Sequence, residues 1–279
     1  MSQFEATINR IPVSTWGRLH VNDAGLILGG PGGVSFTDSV NIHGSGKVII
    51  DQSFGDLAIG EDATKMFVPA EMGMFIDENA NRRYLIRIPR NHTEQDPIVL
   101  TLHLDGKNPF LIDDVVIEAE EGSNSTVILK YSSEAGVPAR HCGRTRARVR
   151  RNAGLKLVKV QMLDGEASHS EAIGGTVQEG ARLDVIVAEL GAARPLSSCN
   201  IILKGKKAAA GLDVVYLGAG QRSLDMTYRV EHWGKETVSN ICAKGILLEQ
   251  SHKVFRDTLD FISGASGSKG REEESVLML

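Results

Sequence analysis

A chain of 279 residues, 42% of them hydrophobic and 24% charged, can bury a core that stands without disulfides or structural metals. A net charge of −4 argues for neither a nucleic-acid nor a membrane partner, and no run approaches the roughly 18 apolar residues of a membrane span. Three widely separated cysteines, Cys142, Cys199 and Cys242, offer no zinc-type spacing, and the opening Met1 to Glu5 lacks a basic-then-apolar leader, so the chain reads as a soluble protein of the reducing cytoplasm.

Thirty glycines and only 5% aromatics, with apolar content drawn largely from Val, Ile and Leu, favour short strands joined by tight turns. Residues 1–110 read as an irregular β-rich N-terminal region. Glycine-rich turns fall at Gly29 to Gly33 and Gly44 to Gly46, and Leu26 and Leu28 carry no expected part in association. The sequence Gly44-Ser45-Gly46-Lys47 imitates a phosphate loop, but Asn41 and Val48 stand where the motif needs glycine and Ser or Thr. Lys47 to Ile50, Tyr84 to Ile88 and Thr126 to Leu129 alternate like strands. Pro89 to Pro97 is polar and bracketed by prolines, a surface loop. A soft boundary near Pro109 separates this region from a core spanning 111–279.

From about residue 150 the strands repeat. Leu155, Leu183 and Leu212 open similar segments 28 and then 29 residues apart. Ser198 to Gly205 echoes Ser239 to Gly245, so two strands recur per repeat. Such periods with β content indicate a solenoid or propeller; without propeller signatures, an all-β parallel β-helix fits better, with an antiparallel sandwich as the competing arrangement. Gly218-Ala219-Gly220 imitates a dinucleotide fingerprint, yet no amphipathic helix follows it, and a tight turn explains it.

Arg144, Arg146, Arg148 and Arg150 alternate with other residues, so a strand sets four guanidinium groups along one face. They are candidates for anion binding; the alternative is a solvated face paired with Glu118, Glu120 and Glu121 on an adjacent turn. His141 and Cys142 are neighbours and point to opposite faces. Cys142, Cys199, Cys242 and His232 are the candidate metal ligands, although Cys199 and Cys242 sit in apolar strands where cysteine usually packs as a small hydrophobe. Nothing in the spacing requires His169, His232 and His252 to meet. No strand–turn–helix elbow holds a serine nucleophile, and the chain reads as no enzyme.

The stretch His232-Trp233-Gly234-Lys235-Glu236-Thr237-Val238-Ser239-Asn240, followed by Lys244 to Leu247, Val254 to Thr258 and Glu272 to Leu279, resembles the late β-helix of SufB/SufD proteins. Pro12 to Asn22, with Thr15-Trp16, is similar to the N-terminal segment of compact SufD-like members. The resemblance implies a right-handed parallel β-helix and a non-catalytic scaffold role in iron–sulfur cluster assembly, beside a partner SufB or SufD chain and the ATPase SufC. Tyr131-Ser132-Ser133 stands where SufB carries its cysteine turn, which makes the chain SufD-like. The family's C-terminal His/Cys segment and SufC-docking helices have no counterpart before Leu279, which leaves SufC binding in doubt. The implied cofactor state is none tightly bound, with an iron–sulfur cluster held transiently in complex with partners. A homodimer, or a heterodimer with a SufB-like chain, is expected through the C-terminal turns, at Val254, Phe255, Val276, Leu277 and Leu279. The competing function is a β-helical enzyme acting on polyanionic carbohydrate.

Overall fold

The computed structural model describes residues 3–12, 18–29, 36, 40–43, 49–51 and 69–279. Residues 30–33, the phosphate-loop imitation at 44–47 and the Thr15-Trp16 pair fall outside them.

The chain winds into a parallel β-helix built on two eight-stranded sheets. One sheet runs through β5 (Arg82–Ile88), β7 (Phe110–Ala119), β9 (Arg140–Val149), β11 (Ser168–Val177), β13 (Arg194–Leu203), β15 (Ser223–His232) and β17 (His252–Phe261). The other runs through β6 (Ile98–Leu104), β8 (Asn124–Ser133), β10 (Gly154–Met162), β12 (Arg182–Glu189), β14 (Ala209–Gly218), β16 (Val238–Leu247) and β18 (Lys269–Met278). Each sheet begins with a short antiparallel strand, β4 (Ile49–Asp51) and β3 (Val40–His43) respectively. The parallel ladder therefore starts at Arg82, N-terminal to the boundary expected near Pro109.

Successive turns stack residue on residue. Leu155 pairs with Leu183 as the 28-residue spacing predicts, but Leu212 pairs with Val185, two positions along on the same face. The echo between Ser198 to Gly205 and Ser239 to Gly245 couples β13 to β16, strands of opposite sheets, and is no register of the helix. Inward positions carry the core: Val127 and Leu129, Leu155 and Leu157, Val185 and Val187, Leu212 and Val214 lie on successive turns of one sheet, all buried.

One corner recurs at each turn in the left-handed backbone region. Asn91, Gly122, Asn152, Gly180, Lys207, Glu236 and Gly267 have φ between 54° and 75°, and each amide from Asn91 to Glu236 donates to a carbonyl one turn further on. Left-handed backbone is costly for residues with a Cβ. Glycine at 122 serves a second purpose, since a Cβ there would lie 2.4 Å from the Asn91 side-chain oxygen. As expected, Pro89 to Pro97 is a loop and Gly220 sits in a turn.

An N-terminal hairpin and a helix cover the outside of the first-named sheet. The hairpin pairs β1 (Gln3–Ile8) with β2 (Ala24–Gly29). The helix α1 (Ala70–Asn79) starts after Pro69, carries Glu71 in its first turn and buries Met72, Phe75 and Ile76, one stripe at helical spacing. These residues pack with Ile8, Leu26 and Leu28 on the outward Ile112, Cys142, Ala172 and Leu196. Each large side chain so buried contributes about 1.5–3 kcal/mol. Leu26 and Leu28 are thus core residues, and charging them would strip the hairpin from the sheet. Asn9 Nδ2 reaches Asp225 Oδ1 at 2.6 Å, and Arg256 joins Asp225 at 2.7 Å while donating to the carbonyl of Val21.

Toward the C-terminal turns the inward Tyr216 lies over Gly245, its register partner, where a Cβ would sit 1.9 Å from the ring. The expected outcome of Gly245→Ala is a displaced Tyr216 and a loss of about 1–3 kcal/mol, measured as a lower urea midpoint with unchanged far-ultraviolet circular dichroism.

Candidate functional site

Midway along the helix the inward face changes from apolar to polar. Asp113, His141, Thr145, His169, Glu171 and Ser197 enter from β7, β9, β11 and β13, and Tyr131, Lys159, Gln161 and Glu189 from β8, β10 and β12. All are buried. Alternation fixes this: Lys159 and Gln161 share the parity of Leu155 and Leu157, so a strand that buries the leucines must also bury them.

Buried polar atoms must find partners, and here they find one another. Asp113 accepts from His141 Nε2 at 2.6 Å and from the Tyr131 hydroxyl at 2.9 Å. The Nδ1 atoms of His141 and His169 lie 2.8 Å apart, with one proton between them. Stacking of Tyr131 on His141, centroids 4.4 Å apart, locks the first ring. Lys159 pairs with Glu171 and donates to Thr145 Oγ1 at 2.9 Å, and Gln161 donates to Glu189 at 3.3 Å. Gly143 makes room, since a Cβ there would stand 2.6 Å from Asp113 Oδ1 and 2.7 Å from His141 Nε2.

Burial shapes the protonation of this interior. Loss of water, reinforced by the charge of Glu171, pushes Glu189 up to about 7. Desolvation, with the nearby His141 and Lys159, drives His169 well below the ordinary imidazole value. Glu171 is raised by burial against the opposing charge of Lys159. Among the described residues, His141, His169 and Glu171 bring one donor atom each within 4.8 Å of one another, a set able to hold a metal ion.

None of the candidate metal ligands joins this cluster's hydrogen bonds. Cys142 points outward beneath α1, while Cys199 faces the interior among apolar neighbours, and desolvation pushes both thiols up to about 12. Cys242 lies half-buried on the outer face of β16. His232 is held by Thr237 and Ser239 at 2.7 and 2.8 Å and stacks on Phe261. His169, His232 and His252 do not meet: His169 pairs with Pro195 and His232 with Leu203, eight residues further along the same strand, and His252 bonds Ser223.

The arginine row does share one face, the outer one. Arg144 and Arg146 are buried and both fork onto Asp114, with Arg144 reaching Asp77 of α1 as well. Arg148 and Arg150 approach Glu118 at 3.2 and 3.8 Å. Glu118 is the acidic partner that the sequence places on the adjacent strand, and Asp114 is a second one on the same strand. Burial would raise the Asp114 carboxyl, but Arg144 and Arg146 overcome it and hold the group below its ordinary value.

Of the expected interface residues, Val254 and Leu277 face outward, whereas Phe255 turns inward against Tyr228 and Val276 turns inward at 36% exposure, so they form no single surface. Leu277, Met278 and Leu279 are exposed at 54%, 76% and 75%. Among the described residues no helix is long and apolar enough to cross a membrane.

The family model described as SUF system FeS cluster assembly, SufBD core domain, matches residues 102–279. No curated protein matches the sequence.

Replacing Asp114 by Asn leaves the buried Arg146 without a counter-charge and Arg144 with Asp77 alone, so Asp114→Asn should cost about 3–5 kcal/mol at pH 7. A carboxyl lowered in the folded state stabilises above its unfolded value of 3.8 and loses that contribution as pH falls through the lowered one. Urea titrations of both proteins should therefore show the gap narrowing below about pH 4; a gap constant down to acid would contradict the assignment.

Proposed function

Because the chain belongs to the SufB/SufD family, through a SufBD core domain that covers residues 102–279, we propose that it is a non-catalytic, SufD-like scaffold component of iron–sulfur cluster assembly in the cytoplasm, working beside a SufB-like chain. The observation that carries this reading within the family is the dispersal of the thiols. Cys142 lies outside one sheet, Cys199 inside the helix and Cys242 outside the other sheet. Three such sulfurs supply no convergent thiolate set for a cluster, and two of them stay protonated at neutral pH because burial lifts them to about 12. At the position compared with the SufB cysteine turn, Tyr131 is committed to Asp113, Ser132 to His103 and Ser133 to the amide of Asp164. Sulfur acceptance and stable cluster ligation then belong to the partner, and any cluster is held only transiently at the joint between chains.

The apolar residues exposed on β18 and just after it, Leu277 to Leu279, support a partner contact there. Exposed apolar side chains on an edge strand favour pairing with a second chain.

The test is tagged purification from the native cell with identification of what accompanies the chain. Recovery of a SufB-like chain at about equal stoichiometry, lost on Leu277→Glu plus Leu279→Glu, is the expected result. A chain that comes down alone, and whose deletion leaves iron–sulfur enzyme activities unchanged, would overturn the proposal.

A further inference from the structure

The interior polar cluster is arranged around a point that its own hydrogen bonds do not fill. The two imidazoles meet through their Nδ1 atoms, 2.8 Å apart, while their Nε2 atoms face away, toward Asp113 at 2.6 Å and Glu189 at 3.9 Å. The third member, Glu171, gives one carboxylate oxygen to Lys159 and leaves Oε2 buried without a hydrogen-bond partner. A cavity of about 10 Å³, room for one water, adjoins His169 and Glu171 and is lined also by Lys159, Glu189 and Tyr228, with His141 just outside its lining.

We propose that His141 Nδ1, His169 Nδ1 and Glu171 Oε2 bind one divalent first-row transition-metal ion inside the β-helix.

Four features support it. Tetrahedral metal–nitrogen and metal–oxygen bonds of about 2.0–2.2 Å place ligand atoms roughly 3.3–3.6 Å apart, so the two Nδ1 atoms, 2.8 Å apart, must separate by about half an ångström or slightly more. The set of donors, all within 4.8 Å of one another, is two imidazoles and a carboxylate, chemistry that suits ferrous and zinc ions. Ligating histidines usually donate their second N–H to a carboxylate, and Asp113, itself fixed by Tyr131, already occupies that place behind His141. Glu189 stands behind His169 in the same sense. Finally, the orphaned Glu171 oxygen gains a partner, ending a desolvation cost left unmet.

The surrounding charge is compatible. The carboxyl groups of Asp113, Glu171 and Glu189 face the point, against the ammonium of Lys159, while Arg82 of β5, register partner of Asp113, lays its guanidinium over the Phe36 ring. Lys159 is already anchored on Thr145 and can keep Glu171 Oε1 while Oε2 ligates. Binding displaces the proton shared by the two Nδ1 atoms, and His169 takes it on Nε2, on the side of Glu189, so both rings stay neutral and no net proton is released. No electron transfer is involved.

The inference does not depend on the proposed role in cluster assembly, and its test reads metal directly. The full chain is unfolded with chelator and refolded anaerobically in separate arms with ferrous ion, zinc or cobalt, and the bound metal is counted after desalting. About one ion per chain, with d–d absorption in the cobalt arm, is the expected result; the relative retention of iron and zinc says which the site prefers. His169→Gln and Glu171→Gln should lose the ion, Glu189→Gln should weaken binding about 10- to 100-fold, and the exposed-side His252→Gln should bind as the parent does. If the interior variants fail to fold, X-ray absorption of the unmodified protein decides: two imidazole scatterers and no sulfur support the site. No bound metal in any arm, retention by folded His169→Gln, or a sulfur-rich shell would each overturn it.

Discussion

The parallel register between successive turns is the constraint from which the other features follow. Once Gly154 to Gln161 is laid against Asn124 to Tyr131 on one side and Arg182 to Glu189 on the other, every second side chain is committed to the interior. The strand cannot bury Leu155 and Leu157 while sparing Lys159 and Gln161. A shift by one residue would put the polar groups in water but would expel the leucines with them. The polar stretch of the interior is therefore tied to the apolar stretch by geometry, and it persists because its groups satisfy each other.

That mutual satisfaction is specific in a way that an apolar core is not. Asp113, His141 and Tyr131 come from three strands on two sheets and meet at hydrogen-bond distance. The contact exists only because residue 143 has no Cβ. Partly paired buried charges are costly when one partner is removed, so a sequence that retains them commits this region to one arrangement. Outside the same sheet Asp114 solves the mirror problem, holding Arg144 together with Asp77 of α1 and holding Arg146 as its counter-charge.

Much of the architecture was legible because strands advertise period two and the turns advertise a spacing near 28. The fold class, the loop between Pro89 and Pro97 and the shared face of the arginine row all follow from those two periods. The interior site was harder to see, though its signal was present: His141 and His169 are 28 residues apart, one turn, and are register partners. It was obscured because Lys159, Glu171 and Glu189 look like surface residues until the parity of their strands is fixed by the leucines beside them. The echo between β13 and β16 misled for the opposite reason, since similar composition on opposite sheets carries no register. Asp114 escaped notice because its neighbour Asp113 has the same chemistry but faces the other way.

The hairpin and α1 alter what kind of object the solenoid is. A stack in which each turn touches only its neighbours behaves like a one-dimensional chain of units, free to fray from an end or open in the middle. Here Asp77 grips β9, Asn9 grips β15 and Val21 is held by Arg256 of β17. These bonds run from the N-terminal elements to turns spread along the sheet from β9 to β17. They couple distant units as a strap couples planks, so that the loss of one turn strains the rest and melting becomes a collective event rather than a progressive peeling.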